Sequence, residues 1–159
     1  MSFVVGELVG YRYWVVSWQE NLFGPHSWRH WHPEEPMSGR GMNDSGHAGV
    51  YAFKTRDLVE RFITSVPARR ELANTWRSPP LLPPPTGQQG PVALAIGSVW
   101  LWGTIWEHES GFRAQFGRVR TIDEWCVGEE FEQRQTEGVL LERLRNKYGC
   151  ASRQDMSFN

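Results

Sequence analysis

Cysteine is nearly missing from this chain, with two in 159 residues, Cys126 and Cys150. With a helix expected between them, they form neither a disulfide framework nor a zinc spacing. Two free thiols in a reducing compartment is the preferred reading and a bridge the alternative. Long apolar runs are missing too: none approaches the roughly 18 residues that a spanning helix needs. The opening "MSFVVGELVGYRYW" has no basic leader segment and only a short apolar run, so it does not read as a signal peptide. The expectation is a cytoplasmic chain that does not engage a membrane. Excess charge of one sign is also absent. Seventeen basic and 18 acidic residues leave a formal net charge of −1, which exerts no long-range pull on phosphate or anionic lipid, so such partners would need a local basic patch. There is no GxSxG, no phosphate loop ending in Gly-Lys-Ser/Thr and no GxGxxG behind a strand. No cofactor is implied, and no internal repeat is visible.

What is abundant is tryptophan, at nine residues. Each carries a large apolar area and one N–H that wants a partner, and the residue is over-used where a surface must grip something. A hydrophobic fraction of 40% with 22% charged residues describes a globular chain of one domain's length.

Along the chain, residues 8–18 ("LVGYRYWVVSW") are aromatic and β-branched and read as a strand. Its one charge, Arg12, must reach solvent or be paired, because an unpaired buried guanidinium is too costly. Residues 20–49 read as a long irregular loop, dense in Gly, Pro, Ser, Asn and His, of a length that is usually functional or mobile. "VYAF" at 50–53 is a short strand. Leu58, Val59, Phe62, Ile63 and Val66 then recur at helical spacing behind Thr55 as N-cap, with Pro67 as the limit and 68–76 as a candidate further turn or two. Residues 77–91 hold six prolines and two glycines and read as an extended connector.

In residues 92–106, Val99, Leu101 and Ile105 share one face with Gly103. Trp100, Trp102 and Trp106 share the other with Thr104, and Gly97 is a candidate bulge that splits the run into two strands. "ESG" is a turn into 112–119, where Phe112, Ala114 and Phe116 alternate with Arg113, Gln115 and Gly117, making a hairpin. Residues 123–135 are acidic and a candidate helix. Residues 136–148 form an amphipathic helix with Val139, Leu140, Leu141, Leu144 and Tyr148 apolar and Gly149 as its stop.

The candidate chemistry is of three kinds. The tryptophan face of 92–106 is core if both faces of the sheet are covered, or the wall of a ligand site if one side stays open. Glu107-His108-Glu109 offers a carboxylate-assisted imidazole, but neighbouring strand residues point to opposite faces, so a solvated hairpin end explains the trio as well. His26, His30 and His32 have donor atoms suited to zinc or a late transition metal, with Glu34, Glu35 or His47 to complete a shell, but they meet no zinc spacing rule, so polar loop histidines are the preferred reading and no metal site is expected. "SGRGMNDSGHAG" reads as a flexible loop. Arg77, Pro80 and Pro83 match a short polyproline ligand pattern that a plain linker also satisfies.

Three segments taken together resemble a loose group of uncharacterised bacterial proteins: "YRYW" near the start, "GVYAF" in the middle and "WGTIWEHESGFRA" in the third quarter. That group shows a YRxW start, a G-[IV]-Y-A centre and a WGxVxEHExGxRA segment. The likeness covers short parts of residues 11–116 and implies no settled activity. Such proteins often place Cys and His just before the G-[IV]-Y-A centre, as a metal clip. Here residues 41–48 keep only His47, so the resemblance carries no metal role across.

The fold expected is α+β: a curved, mostly antiparallel sheet or small β-barrel with one internal and one C-terminal helix. It forms a single domain over 1–148, with the connector at 77–91 and a frayed tail at 149–159. The function expected is a non-catalytic binding or regulatory module. Its aromatic surface or pocket, built from Tyr11, Tyr13, Trp14, Trp100, Trp102 and Trp106, holds a small molecule, a nucleobase or a protein partner, with Arg12 and Arg113 as orienting charges. Stacking on such rings admits nucleic acid, with Arg118 and Arg120 beside Arg113 as phosphate contacts, but does not favour it. The rival is an enzyme or metal-dependent protein using the His26/His30/His32 loop or the Glu107-His108-Glu109 cluster.

Overall fold

A computed structural model describes residues 2–4, 7–17, 20–24, 29–39, 49–65, 91–126 and 135–150. Within them the chain runs β1 (Ser2–Val4), β2 (Leu8–Ser17), β3 (Leu22–Phe23), β4 (His30–Trp31), β5 (Met37–Ser38), β6 (Val50–Phe53), α1 (Arg56–Thr64), β7 (Pro91–Glu107), β8 (Gly111–Cys126) and α2 (Val139–Tyr148). Every pairing among these strands is antiparallel. The architecture is therefore the expected one of a mostly antiparallel sheet with one internal and one C-terminal helix.

The sheet curls into a partial ring. β7 is the spine: it pairs with β2 from Leu8 to Ser17 and with β8 along most of its length. β8 pairs with β6, and a single pair, Tyr11 with Phe53, brings β6 back to β2. Register shifts along β7–β8 at Ile96/Gly97, Ser98/Val99 and Trp102/Ile105 add the local twist that such curvature needs. Gly97 is one of these irregularities, as expected, but β7 does not split there. The backbones run so close that a Cβ on Gly97 would lie 2.0 Å from the Thr121 carbonyl oxygen.

Successive residues of β2 enter different cores. Trp14 and Val16 join Trp31, Val50, Val99, Leu101, Ile105 and Ala114, while Tyr13 and Val15 pack with Leu94, Ile96 and the buried side of α1, Val59 and Ile63. Period-two alternation thus survives although both faces are covered. Leu141, Leu144 and Tyr148 of α2 complete the first core. The buried Tyr148 hydroxyl donates to the Trp31 carbonyl at 2.6 Å and accepts from the Leu22 N–H at 2.9 Å, tying α2 to β3 and β4.

Both helix signals appear as expected. Thr55 Oγ1 accepts from the Leu58 N–H at 3.3 Å, and Gly149 takes the left-handed C-cap conformation at φ 61°. Three expectations need correcting. Residues 123–126 are not helical; they extend β8 to Cys126 because Leu94, Ala95 and Ile96 supply strand partners. The acids there are held by Arg56, which pairs with Asp123 at 2.9 Å and with Glu124. The 20–49 segment is not wholly irregular: β3 and β4 extend the β2 edge and β5 joins β8, in two-residue pairings too short to leave a periodic signature. Arg113, expected opposite the buried face of its strand, is itself fully buried, its Cγ against Gly49. The candidate turns at 66–76, the connector at 77–90 and the tail beyond Cys150 lie outside the described residues.

Candidate binding site

The eight residues expected to form one aromatic site are distributed over the sheet. Trp14 is core: fully buried, it meets Trp31 edge-to-face at 5.7 Å. Tyr11 and Tyr13 lie on the α1 side, Tyr13 stacking on Phe62 at 5.9 Å. Trp100, Trp102 and Trp106 are half-buried along the β7–β8 hairpin, opposite Arg118, Phe116 and Arg113, while Val99, Leu101 and Ile105 are fully buried. These indoles are already occupied from within the chain. Arg120 lies 5.0 Å over Trp100, Arg113 lies 5.8 Å from Trp106, and Trp102 stacks on Phe116 at 5.8 Å.

The open aromatic wall is built of tyrosine and phenylalanine instead. Because β2 and β6 share only the Tyr11–Phe53 pair, the strands part beside it and leave a cavity of about 440 Å³. Arg12 and Tyr13 line it from β2, Tyr51 and Phe53 from β6, and Phe62 from α1. The β7–β8 turn closes the remaining side with His108 and Phe112. That turn is held by the His108 N–H donating to the Gly111 carbonyl at 2.8 Å and the Lys54 N–H to the Ser110 carbonyl at 3.0 Å. Gly111 has no room for a side chain, since a Cβ there would sit 2.5 Å from the Ala52 carbonyl oxygen.

Two polar groups in this apolar lining are incompletely matched. Arg12 spans the parted strands, its Nη1 donating to the Tyr51 carbonyl at 3.0 Å and its Nε to the Tyr13 carbonyl at 3.4 Å. Its guanidinium also lies 4.6 Å from the Trp31 ring and 5.6 Å from Trp14. Among the described residues no carboxylate pairs with it; the ion pairs there are made by Lys54, Arg56 and Arg143. Burial pushes the Arg12 pKa down to about 10, the Tyr13 phenol opposing the shift and nearby Arg29 adding to it. The second group is His108, whose Nε2 is buried with no hydrogen-bond partner.

The rival sites are less complete. His30 and His32 rings lie 4.2 Å apart, and burial, then His32 and Lys147, hold the His30 pKa below its ordinary value. His26 and His47 lie outside the described residues, and among those described no three His, Cys, Asp or Glu side chains converge as a metal-ligand set. Glu107 pairs with Lys54 at 2.8 Å and Glu109 is exposed, so neither carboxylate of the Glu-His-Glu trio is hydrogen-bonded to His108. A second hollow of about 580 Å³ is bordered by Trp100, Arg118, Arg120, Tyr148 and Cys150. Neither Cys126 nor Cys150 is in a disulfide, and burial pushes the Cys150 thiol up to about 11, which keeps it protonated at neutral pH.

No family model, curated protein or solved structure matches this chain.

Of the cavity's lining, Arg12 and Tyr13 were expected in a ligand site and His108 in a catalytic one. Tyr51, Phe53, Phe62 and Phe112 were not singled out. Phe62 has helical core spacing, and only the gap between β2 and β6 turns it into a wall.

Proposed function

We propose that this chain is a cytoplasmic, non-catalytic binding or regulatory module that holds a small planar molecule in the cavity between β2, β6, α1 and the β7–β8 turn. The observation that carries this reading is the lining itself: five aromatic residues, Tyr13, Tyr51, Phe53, Phe62 and Phe112, with Arg12 and His108 at the border, around about 440 Å³. Small-molecule sites are typically about 300–1,000 Å³, mostly apolar, with a few polar groups that fix orientation. A non-catalytic role fits the lack, among the described residues, of any carboxylate hydrogen-bonded to His108, because an acid–base imidazole ordinarily has a partner that fixes its tautomer.

The test is thermal unfolding against a panel of planar compounds, charged and uncharged, with Phe62→Ala and Tyr51→Ala as variants. Tyr51 is 44% exposed, so its truncation spares the core. A ligand at about one hundred times its Kd adds about 2.7 kcal/mol of stability and raises Tm by several degrees. The expected outcome is such a rise in the wild type, reduced in both variants. No rise with any compound, together with a stable protein complex in pull-downs, would replace this reading with that of an interaction subunit.

A further inference from the structure

We infer that the cavity's ligand is an uncharged aromatic compound, held ring against ring by Phe53, Phe62, Phe112 and the two tyrosines and carrying no ionised group of its own. The inference rests on reading this cavity as a ligand site and goes further by fixing the ligand's charge.

The rings of the lining come from four elements: Tyr13 from β2, Tyr51 and Phe53 from β6, Phe62 from α1 and Phe112 from β8. Phe62 is their hub, with Tyr13 stacked on it at 5.9 Å and Phe53 tilted against it by 44° at 5.5 Å. Aromatic pairs in offset or edge-to-face contact are stabilised beyond the area they bury. A ligand ring entering beside Phe62 repeats a contact that the wall already makes with itself.

The polar groups at the border are engaged elsewhere. Arg12 shares its face of β2 with Trp14, so its guanidinium turns away from Tyr13 and Phe62. It lies 4.6 Å from the Trp31 ring and 5.6 Å from Trp14, and donates to the Tyr13 and Tyr51 carbonyls. His108 gives its backbone N–H to the Gly111 carbonyl, and its Nε2 is buried. The Ser110 carbonyl accepts from the Lys54 N–H. The Lys54 ammonium lies 5.9 Å from the Phe112 ring and is paired with Glu107 at 2.8 Å.

This arrangement opposes ionised ligands of either sign. An anion would lie against the negative faces of the rings and lose its hydration with no cationic donor turned toward it among the described residues. A cation would gain from those faces. It would also be repelled by the positive charges of Arg12 and of Arg29 beside it, while Lys54 already occupies one side of Phe112. A neutral ring meets neither penalty.

The experiment is calorimetric titration of the full chain with three probes of one shape: the neutral ketone 2-acetylnaphthalene, the anion 2-naphthoate and the cation 2-naphthylmethylammonium. The ketone is expected to bind at least about tenfold more tightly than either ion. Tyr51→Arg, at a lining position that is 44% exposed, sets a guanidinium at the cavity's rim. It is expected to strengthen naphthoate several-fold and so narrow the ratio of ketone to naphthoate. If that variant fails to fold, the wild-type ratio decides. Binding of either ion as tightly as the ketone overturns the assignment of a neutral ligand and leaves the cavity reading standing. An unchanged ratio in a folded Tyr51→Arg puts the ketone outside this cavity and overturns the inference as well. Binding of none of the three, each titrated up to its solubility, overturns the inference and the cavity reading together.

Discussion

Gly97 and Tyr148 are the two residues at which a single atom matters most. A methyl at Gly97 would meet the Thr121 backbone, with the carbonyl oxygen at 2.0 Å and the carbonyl carbon at 2.9 Å, and β7 and β8 cannot both stay in place. Gly97→Ala is expected to cost about 3 kcal/mol or more in urea unfolding. Tyr148→Phe removes a hydroxyl that serves a backbone donor and a backbone acceptor at once, leaving both buried and unpaired. The expected loss is about 1–3 kcal/mol. Burial also pushes the Tyr148 phenol up to about 12, the Leu22 N–H opposing the shift and Cys150 adding to it. A pKa raised on folding gives stability that is fully present below the unfolded value of 10.0 and lost as pH rises toward about 12. The wild-type advantage over Tyr148→Phe should therefore shrink as unfolding is measured at pH 8, 10 and 11. His30 works in the opposite direction. Its lowered pKa favours the neutral ring in the fold, so its contribution is present above the unfolded value of 6.5 and is lost as pH falls below it.

At the scale of elements, the helices draw their stability from different sources. α1 is secured at its start, by the Thr55 cap and by Arg56 pairing with Asp123, Glu124 and Glu60. Thr55→Ala is expected to cost about 1 kcal/mol. α2 has no side-chain cap at Gly138 and depends on burial of Leu141, Leu144 and Tyr148. Leu144→Ala should therefore cost more, about 2–5 kcal/mol, in the same denaturant titration. The helical spacing of Leu58, Val59, Phe62 and Ile63 and the alternation of Val99 through Ile105 made these elements legible from the chain alone. The acidic end of β8 was not legible. Asp123 and Glu124 look like a solvated helix start until Arg56 and the far half of β7 are placed beside them.

Across the whole molecule, curvature does the sorting. Closing the sheet through one pair, Tyr11 with Phe53, leaves an opening that the Arg12 side chain bridges to the Tyr51 carbonyl. The same opening lets Phe62 on α1 and His108 on the β7–β8 turn face a common space with Arg12, although they are separated by nearly a hundred positions in the chain. Tryptophan abundance pointed to an aromatic surface, and the rings that line the cavity are tyrosine and phenylalanine. Trp14 and Trp31 went to the core, and Trp100 and Trp106 are covered by Arg120 and Arg113.

Local pattern settled the kind of each long element, its caps and which aliphatic face would be buried, because those depend on neighbours three or four positions away in a helix and two in a strand. It could not say what lies above the second face of a strand. Period two assigns Tyr13 and Trp14 to opposite sides of β2, and both sides turn out to be covered, one by α1 and one by the strands across the curl. Whether a ring becomes core, a seat for an arginine or the wall of a cavity depends on which distant backbone is brought over it, and that was decided only when the sheet closed.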